Sequence, residues 1–203
     1  MTEEIPFKLV LIGDAEVGKT CIMNRFVFDS FQNSRATTGA NSEIKKINVK
    51  NYVFSMNVWD TAGQDRYNAV MPLFFHGAQA ALIVYSVENR YSFESIDKWF
   101  NLFKNSTDND STPQFIGLVA NKHDLYSNLD KDERVDEQEG KDIAQHYGIK
   151  FFPVSAKTGE NIENLFQTVA YDYLSMMEQS HKPMVSSVQI DKADNKDGKK
   201  KCC

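Results

Sequence analysis

Short, unbroken apolar runs alternate along this chain with stretches whose apolar residues recur every three or four positions. The runs Phe7 to Ile12, Ala80 to Tyr85, Phe115 to Ala120 and Phe151 to Val154 predict buried strands. Between them, Phe93, Ile96, Phe100 and Phe103 share one helical face, as do Ile162, Leu165, Phe166, Val169 and Tyr173. Strands that alternate with helices need crossover connections, so the pattern predicts an α/β fold with a mostly parallel sheet and helices on both faces. One region has a different period. Phe54, Met56 and Val58 alternate with Ser55, Asn57 and Trp59, after a strand around Ile47 and Val49 and a turn at Lys50-Asn51. That is a hairpin signal, and it places one antiparallel edge strand on the sheet. Beyond about Glu178 the periodicity stops and Ser, Asp, Lys and Gln take over, which predicts one domain over 1–177 and a disordered tail over 178–203.

Composition narrows the class. With 203 residues, 41% of them hydrophobic, the chain can bury one sizeable core. A net charge of −5 opposes general nucleic-acid binding, which needs a surplus of Lys and Arg to neutralise phosphates. The three cysteines, Cys21, Cys202 and Cys203, cannot form a disulfide framework. Glu3 and Glu4 break any apolar leader near the N-terminus, and the run Ala80 to Tyr85 is too short to span a bilayer. A cytosolic, reducing environment is the resulting expectation.

The residues from Gly13 to Thr20 follow the phosphate-loop pattern of Gly, four residues, then Gly-Lys-Thr. The preceding strand and a following helix with Ile22 and Phe26 on one face supply the context that this motif requires. Gly18 admits the backbone to the phosphates, and N–H groups over Asp14, Ala15, Glu16, Val17, Gly18, Lys19, Thr20 and Cys21 offer an anion nest at a helix start. Lys19 would reach the β- and γ-phosphates, and the Thr20 hydroxyl would ligate Mg²⁺. Cys21 has apolar neighbours and is expected to pack as well. At the end of the second hairpin strand, Asp60 can hold the metal through water. Gly63 can then bring its N–H to the γ-phosphate, and Gln64 can orient an attacking water.

A second constellation reads a base. Asn121-Lys122-His123-Asp124 follows the strand Phe115 to Ala120. The Asp124 carboxylate can accept two hydrogen bonds from guanine N1 and N2, and leaving it unpaired penalises adenine. Asn121 can tie this loop to the phosphate loop, the Lys122 stem can lie over the base, and His123 reads as a plain surface residue. Ser155-Ala156-Lys157 follows the next strand, where the Ala156 N–H could meet guanine O6.

Taken together, Gly13 to Thr20, Trp59 to Tyr67, Asn121 to Asp124 and Ser155 to Lys157 resemble the Ras superfamily of small GTPases. Tyr85-Ser86-Val87 and the terminal Cys202-Cys203 resemble its Rab branch. The resemblance covers Phe7 to about Met177 and the extreme C-terminus. It implies a six-stranded G domain, GTP or GDP with Mg²⁺, slow hydrolysis assisted by Lys19 and Gln64, and a monomer. It further implies exchange factors, activating proteins, and effectors that read two switch loops in vesicle trafficking. A switch threonine is also implied. Spacing from Lys19 and back from Asp60 favours Thr38, to which we assign the metal and γ-phosphate, whereas similarity to a Thr-Ile-Gly stretch favours Thr37. By the same spacing Phe31 is the aromatic against the guanine ring, and Arg35 replaces a usual tyrosine.

Two departures change the picture. Ala40-Asn41-Ser42-Glu43 replaces an apolar-acidic-aromatic effector segment. Glu16 occupies a position that is usually small, where its carboxylate would repel the phosphates and speed nucleotide release. The chain ends Lys199-Lys200-Lys201-Cys202-Cys203, similar to the Rab signal for geranylgeranylation of both cysteines. Two lipid chains anchor stably where one does not, and a carrier protein could shield them. From Met184 onward five lysines face three aspartates, a mild attraction to anionic lipid. These features predict residence on the cytoplasmic face of an endomembrane or the plasma membrane, with a cytosolic pool. Two other readings follow from the same motifs: a GTP-loaded binding module that does not hydrolyse or exchanges fast, against which Gln64 speaks, and a small-metabolite kinase, against which Asn121 to Asp124 speaks.

Overall fold

The computed structural model describes residues 3–32, 37, 39–63, 70–107 and 114–180. Among them, strands β1 (Glu3–Ile12), β2 (Ala40–Val49), β3 (Tyr52–Thr61), β4 (Ala80–Ser86), β5 (Phe115–Asn121) and β6 (Lys150–Pro153) form one sheet in the order β2-β3-β1-β4-β5-β6. Only the β2–β3 pair is antiparallel. The helices are α1 (Lys19–Phe28), α2 (Met71–Phe75), α3 (Arg90–Glu94), α4 (Ile96–Thr107), α5 (Glu137–Tyr147) and α6 (Ile162–Ser180). The six-stranded, mostly parallel α/β architecture is therefore present as anticipated.

The apolar runs are strands because both faces of the sheet are covered. Along β4, Ala80, Leu82 and Val84 enter one core, while Ala81, Ile83 and Tyr85 enter the other. Successive strand residues point to opposite faces, so a strand covered twice must be apolar throughout. On one face α1 and α6 meet over the sheet, with Phe26 stacked on Phe166 at 3.7 Å and 13°. On the other, Phe75 of α2, Trp99 and Phe103 of α4, and Ala144 of α5 close the second core. The hairpin turns at Lys50-Asn51, with Lys50 at φ 51°, and sets Val49 opposite Tyr52.

Several boundaries differ from the apolar pattern. β1 starts at Glu3, ahead of the apolar run, because backbone pairing with β3 begins there, opposite Tyr52. The face through Phe93 and Phe103 is carried by two helices parted at Ser95. Ile96, Trp99 and Phe103 are its buried members, and Phe93 and Phe100 are half-buried. α6 continues to Ser180, and the tail 181–203 lies outside the described residues. The carboxyl ends of β1, β3, β5 and β6 all open on one rim of the sheet. There consecutive connections leave β1 toward β3 and then cross to β4, the place where α/β sheets bind ligands.

Candidate functional site

The phosphate loop leaves β1 at Ile12 and enters α1 at Lys19, with Gly18 as N-cap at φ 93°. Only glycine fits there: a Cβ on Gly18 would stand 2.3 Å from Asn121 Nδ2. Gly63 closes the loop from above, since its Cβ would lie 2.2 Å from the Asp14 carbonyl carbon. The two segments expected to face a terminal phosphate are thus packed directly on each other.

Lys19 is 5% exposed, and its Nζ donates to the Gly13 and Asp14 carbonyls at 2.8 and 2.6 Å. Burial pushes its pKa down to about 8, with Asp60 and Asp14 pulling the other way. Beside it, Asp60 is 1% exposed. Its Oδ2 accepts hydrogen bonds from Thr20 Oγ1 at 2.6 Å and Thr37 Oγ1 at 3.2 Å, and the two hydroxyls are 2.9 Å apart. Asp60 Oδ1 finds no hydrogen-bond partner among the described residues. Burial raises the Asp60 pKa, opposed by the Thr20 hydroxyl, the Lys19 charge and the Thr37 hydroxyl. Two hydroxyls around a buried carboxylate with one oxygen unsatisfied form a hard-oxygen set that suits Mg²⁺. Thr38, to which spacing gave the threonine role, lies outside the described residues, as do Gln64, Arg35 and the Cys202-Cys203 pair. Thr37 is the described threonine whose hydroxyl joins this cluster.

The base-facing end is built from two loops cross-tied by side chains. Asn121 Nδ2 donates to the Val17 carbonyl at 2.8 Å, and its Oδ1 accepts from the Ala156 N–H at 3.2 Å. One buried amide therefore joins the phosphate loop to both base loops. Asp124 Oδ1 accepts from Ser155 Oγ at 2.6 Å, and Lys157 Nζ lies 3.7 Å from Asp124 Oδ2. Lys122 takes a left-handed backbone at φ 62°, and its Nζ reaches Glu88 Oε1 at 2.6 Å. His123 is not a plain surface residue. At the start of the short 3₁₀ turn His123–Leu125 its half-buried ring stacks on Tyr126 at 5.3 Å, with Nε2 3.4 Å from Glu137 Oε2.

A cavity of about 390 Å³ connects the two ends. Its lining includes Ala15, Glu16, Gly18, Lys19, Thr20, Cys21, Thr37 and Gly63 around the phosphate loop, Asn121, Lys122, Asp124, Ala156 and Lys157 on the two later loops, and Phe31. Asp14, Val17 and Ser155 stand behind that lining. Asp14 Oδ1 accepts from the Trp99 indole at 2.7 Å, Val17 is fully buried, and Ser155 orients Asp124. Glu16 is exposed at φ 65°. The apolar pattern did not single out Thr61 and Leu125, which also line the cavity.

Comparison with known proteins agrees with this geometry. The model described as the Ras family matches residues 8–175. Rab-10 of Diplobatis ommata is 35% identical, with 100% of this chain and 98% of that protein aligned. This chain is a small GTPase of the Ras superfamily, in its Rab branch. Rab-13 of Canis lupus familiaris is 36% identical over 83% of this chain and 80% of that protein. RABE1d of Arabidopsis thaliana is 37% identical over 92% and 85%. As a Rab-like GTPase the chain binds GTP and GDP and hydrolyses GTP. The cavity runs from the phosphate loop at one end to Asp124 at the other.

Proposed function

We propose that this Rab-like GTPase is a membrane-anchored switch of vesicle trafficking that holds its nucleotide with Mg²⁺ and turns over slowly. The observation that carries the reading is the meeting of Thr20, Thr37 and Asp60 at one buried point. Thr20 and Thr37 would offer hydroxyl oxygens to the metal, and Asp60 would hold it through water. When bound, the ion would neutralise charge that develops between the β- and γ-phosphates. Lys19, released from the Gly13 and Asp14 carbonyls, would turn to those same phosphates. Gly63 would donate its N–H to the γ-phosphate, and Gln64 would orient the attacking water.

In this reading Thr37 senses the γ-phosphate, because its hydroxyl already stands against Thr20. Hydrolysis would then release Thr37 and Gly63, and an exchange factor, an activating protein and effectors would act on the difference. The phosphate loop contains no arginine. An activating partner would therefore supply one, which is why intrinsic turnover is slow. At the base end, Asp124 would pair with guanine N1 and N2, the Ala156 N–H with O6, and Phe31 and the Lys122 stem would sandwich the ring. Cys202 and Cys203 would carry two prenyl chains, shielded in the cytosol by a carrier protein. No helix among the described residues is long and apolar enough to cross a membrane. The expected seat is the cytoplasmic face of an endomembrane or the plasma membrane.

The test is GDP, GTP and ATP affinity with and without Mg²⁺, followed by single-turnover hydrolysis of wild type, Gln64→Leu and Thr37→Ala. The reading predicts tight, Mg²⁺-dependent, guanine-selective binding and hydrolysis lost in Gln64→Leu. It also predicts that Thr37→Ala loses GTP affinity while keeping GDP affinity. Equal loss of GDP and GTP in Thr37→Ala would remove Thr37 from the sensing role.

A further inference from the structure

Arg25 lies on α1, two turns beyond the phosphate loop, and its side chain is 17% exposed. Its guanidinium makes four donations. Nε reaches the Ala156 carbonyl at 2.9 Å, and one terminal nitrogen reaches the adjacent Lys157 carbonyl at 2.9 Å. The other terminal nitrogen meets the Asp29 carbonyl and Asp29 Oδ1, both at 3.0 Å. The Asp29 side chain is 94% exposed, so that ion pair contributes little. The two consecutive carbonyls are the substantive partners, because a planar fork matches them in a way that a single ammonium cannot.

Those carbonyls belong to the turn that lines the base end of the cavity. A trans peptide sets its N–H opposite its C=O. Holding the Ala156 carbonyl therefore also fixes the Lys157 N–H on the other edge of that plane. On the far side, Asn121 Oδ1 takes the Ala156 N–H, and Ser155 Oγ takes the Thr158 N–H at 3.1 Å. The turn is thus held from beneath by Arg25 and from within by Asn121 and Ser155. The same Arg25 closes the C-cap of α1: its own carbonyl accepts the Asp29 N–H at 3.1 Å, and the chain then runs to Phe31 on the cavity wall.

We propose that Arg25 is a positioning residue for guanine specificity, holding the turn by its Ala156 and Lys157 carbonyls so that the Lys157 N–H, next to the Ala156 N–H that Asn121 steadies, faces the base at position 6. The inference rests on the reading of Ala156 as the donor to guanine O6. Arg25 touches no part of the nucleotide in this assignment and acts through the turn. Its loss frees the turn and weakens recognition at position 6, while phosphate and metal binding stay in place.

The experiment uses the full chain with Mg²⁺ and compares GDP with 6-thio-GDP, which differs only by sulfur, a weak acceptor, in place of O6. Release rates and equilibrium affinities are measured for wild type, Arg25→Ala, Arg25→Lys and Asp29→Ala. Arg25→Ala is expected to release GDP about tenfold faster, in line with the loss of charge-assisted hydrogen bonds, and to lose much of the preference for GDP over 6-thio-GDP. Arg25→Lys should fall between, and Asp29→Ala should match wild type. An equal loss of both nucleotides in Arg25→Ala, or no change, overturns the proposal and leaves Arg25 a packing residue. If Arg25→Ala does not fold, Arg25→Lys decides, and wild-type preference there overturns it. Wild type that fails to bind GDP would instead bring down the functional reading itself.

Discussion

The two ends of the cavity are built on different principles. At the base end each recognition side chain already has a protein partner: Asn121 bridges Val17 and Ala156, Ser155 orients Asp124, and Glu88 holds Lys122. At the phosphate end the equivalent groups are less settled, although Lys19 Nζ does donate to the Gly13 and Asp14 carbonyls. Lys19 is buried with a depressed pKa, Asp60 keeps a buried oxygen without a partner among the described residues, and Glu16 sits at a left-handed backbone angle. Leaving a buried polar group unpaired costs about 1–3 kcal/mol, so the phosphate end is the one that ligand completes. A base reader should not change with the number of phosphates, whereas a switch must. The unpartnered Asp60 oxygen and the buried Lys19 charge would therefore lie where metal and γ-phosphate arrive.

The largest expected effect tests the base end. Asp124→Asn replaces a double acceptor by an amide that presents a donor to guanine. GDP affinity should fall by roughly a thousandfold or more, with little change in the Mg²⁺ dependence that remains, read by fluorescent-nucleotide titration. Comparable loss of Mg²⁺ dependence would break the division between the two ends.

Next comes the metal cluster. Asp60→Ala, or chelation of Mg²⁺ from wild type, should accelerate GDP release by roughly a hundredfold, as several charge-assisted contacts go together. Asp60→Ala should then respond little to chelation. A full further response would mean that Asp60 does not hold the ion.

A smaller effect is tied to pH. Burial holds the pKa of free Lys19 down to about 8, and bound phosphates would stabilise its charge. Below pH 8 the lysine is protonated in both states, so affinity is flat. Above it, binding must take up a proton, and affinity falls by up to about tenfold per unit between pH 8 and 9. The Kd for GDP measured from pH 6.5 to 9 should show this bend, and Lys19→Arg should remove it. In the nucleotide-free fold the same shift has its own sign. The folded state resists protonating Lys19, so stability gains as pH rises through about 8 toward the ordinary lysine range.

Glu16 should give the smallest change. Its backbone at φ 65° is costly for a residue with a Cβ, and its exposed carboxylate stands at the phosphate side of the cavity. Solvent screens such a charge strongly. Glu16→Gly should slow GDP release by roughly threefold, measured by displacement with excess unlabelled GDP. An unchanged rate would show that the loop tolerates both the charge and the angle.

What the chain alone reveals follows the same division between local and distant causes. The phosphate loop is legible because phosphate chemistry dictates its spacing. β4 and β5 are legible because burial on two faces demands unbroken apolar runs. In the structure α5 starts on a reciprocal capping box of Asp136 and Glu139 and stops at Gly148, at φ 64°. Apolar periodicity alone does not single it out. Other contacts leave no local trace. Arg25 meets Ala156 across 131 positions, and the Trp99 indole meets Asp14 across 85. The choice between Thr37 and Thr38 illustrates the limit of spacing. Counting residues cannot resolve a shift of one; the Thr37 hydroxyl stands 2.9 Å from that of Thr20, and Thr38 lies outside the described residues.

The most direct measurement of the central claim is amide hydrogen exchange with GDP·Mg²⁺ and with a non-hydrolysable GTP analogue·Mg²⁺. The account predicts that Thr37, Gly39 and 61–63 gain protection only with the γ-phosphate, while 121–124 and 155–157 are equally protected by both. Equal protection of Thr37 and Gly63 by the two nucleotides, or a γ-phosphate response centred on 121–124, would contradict it.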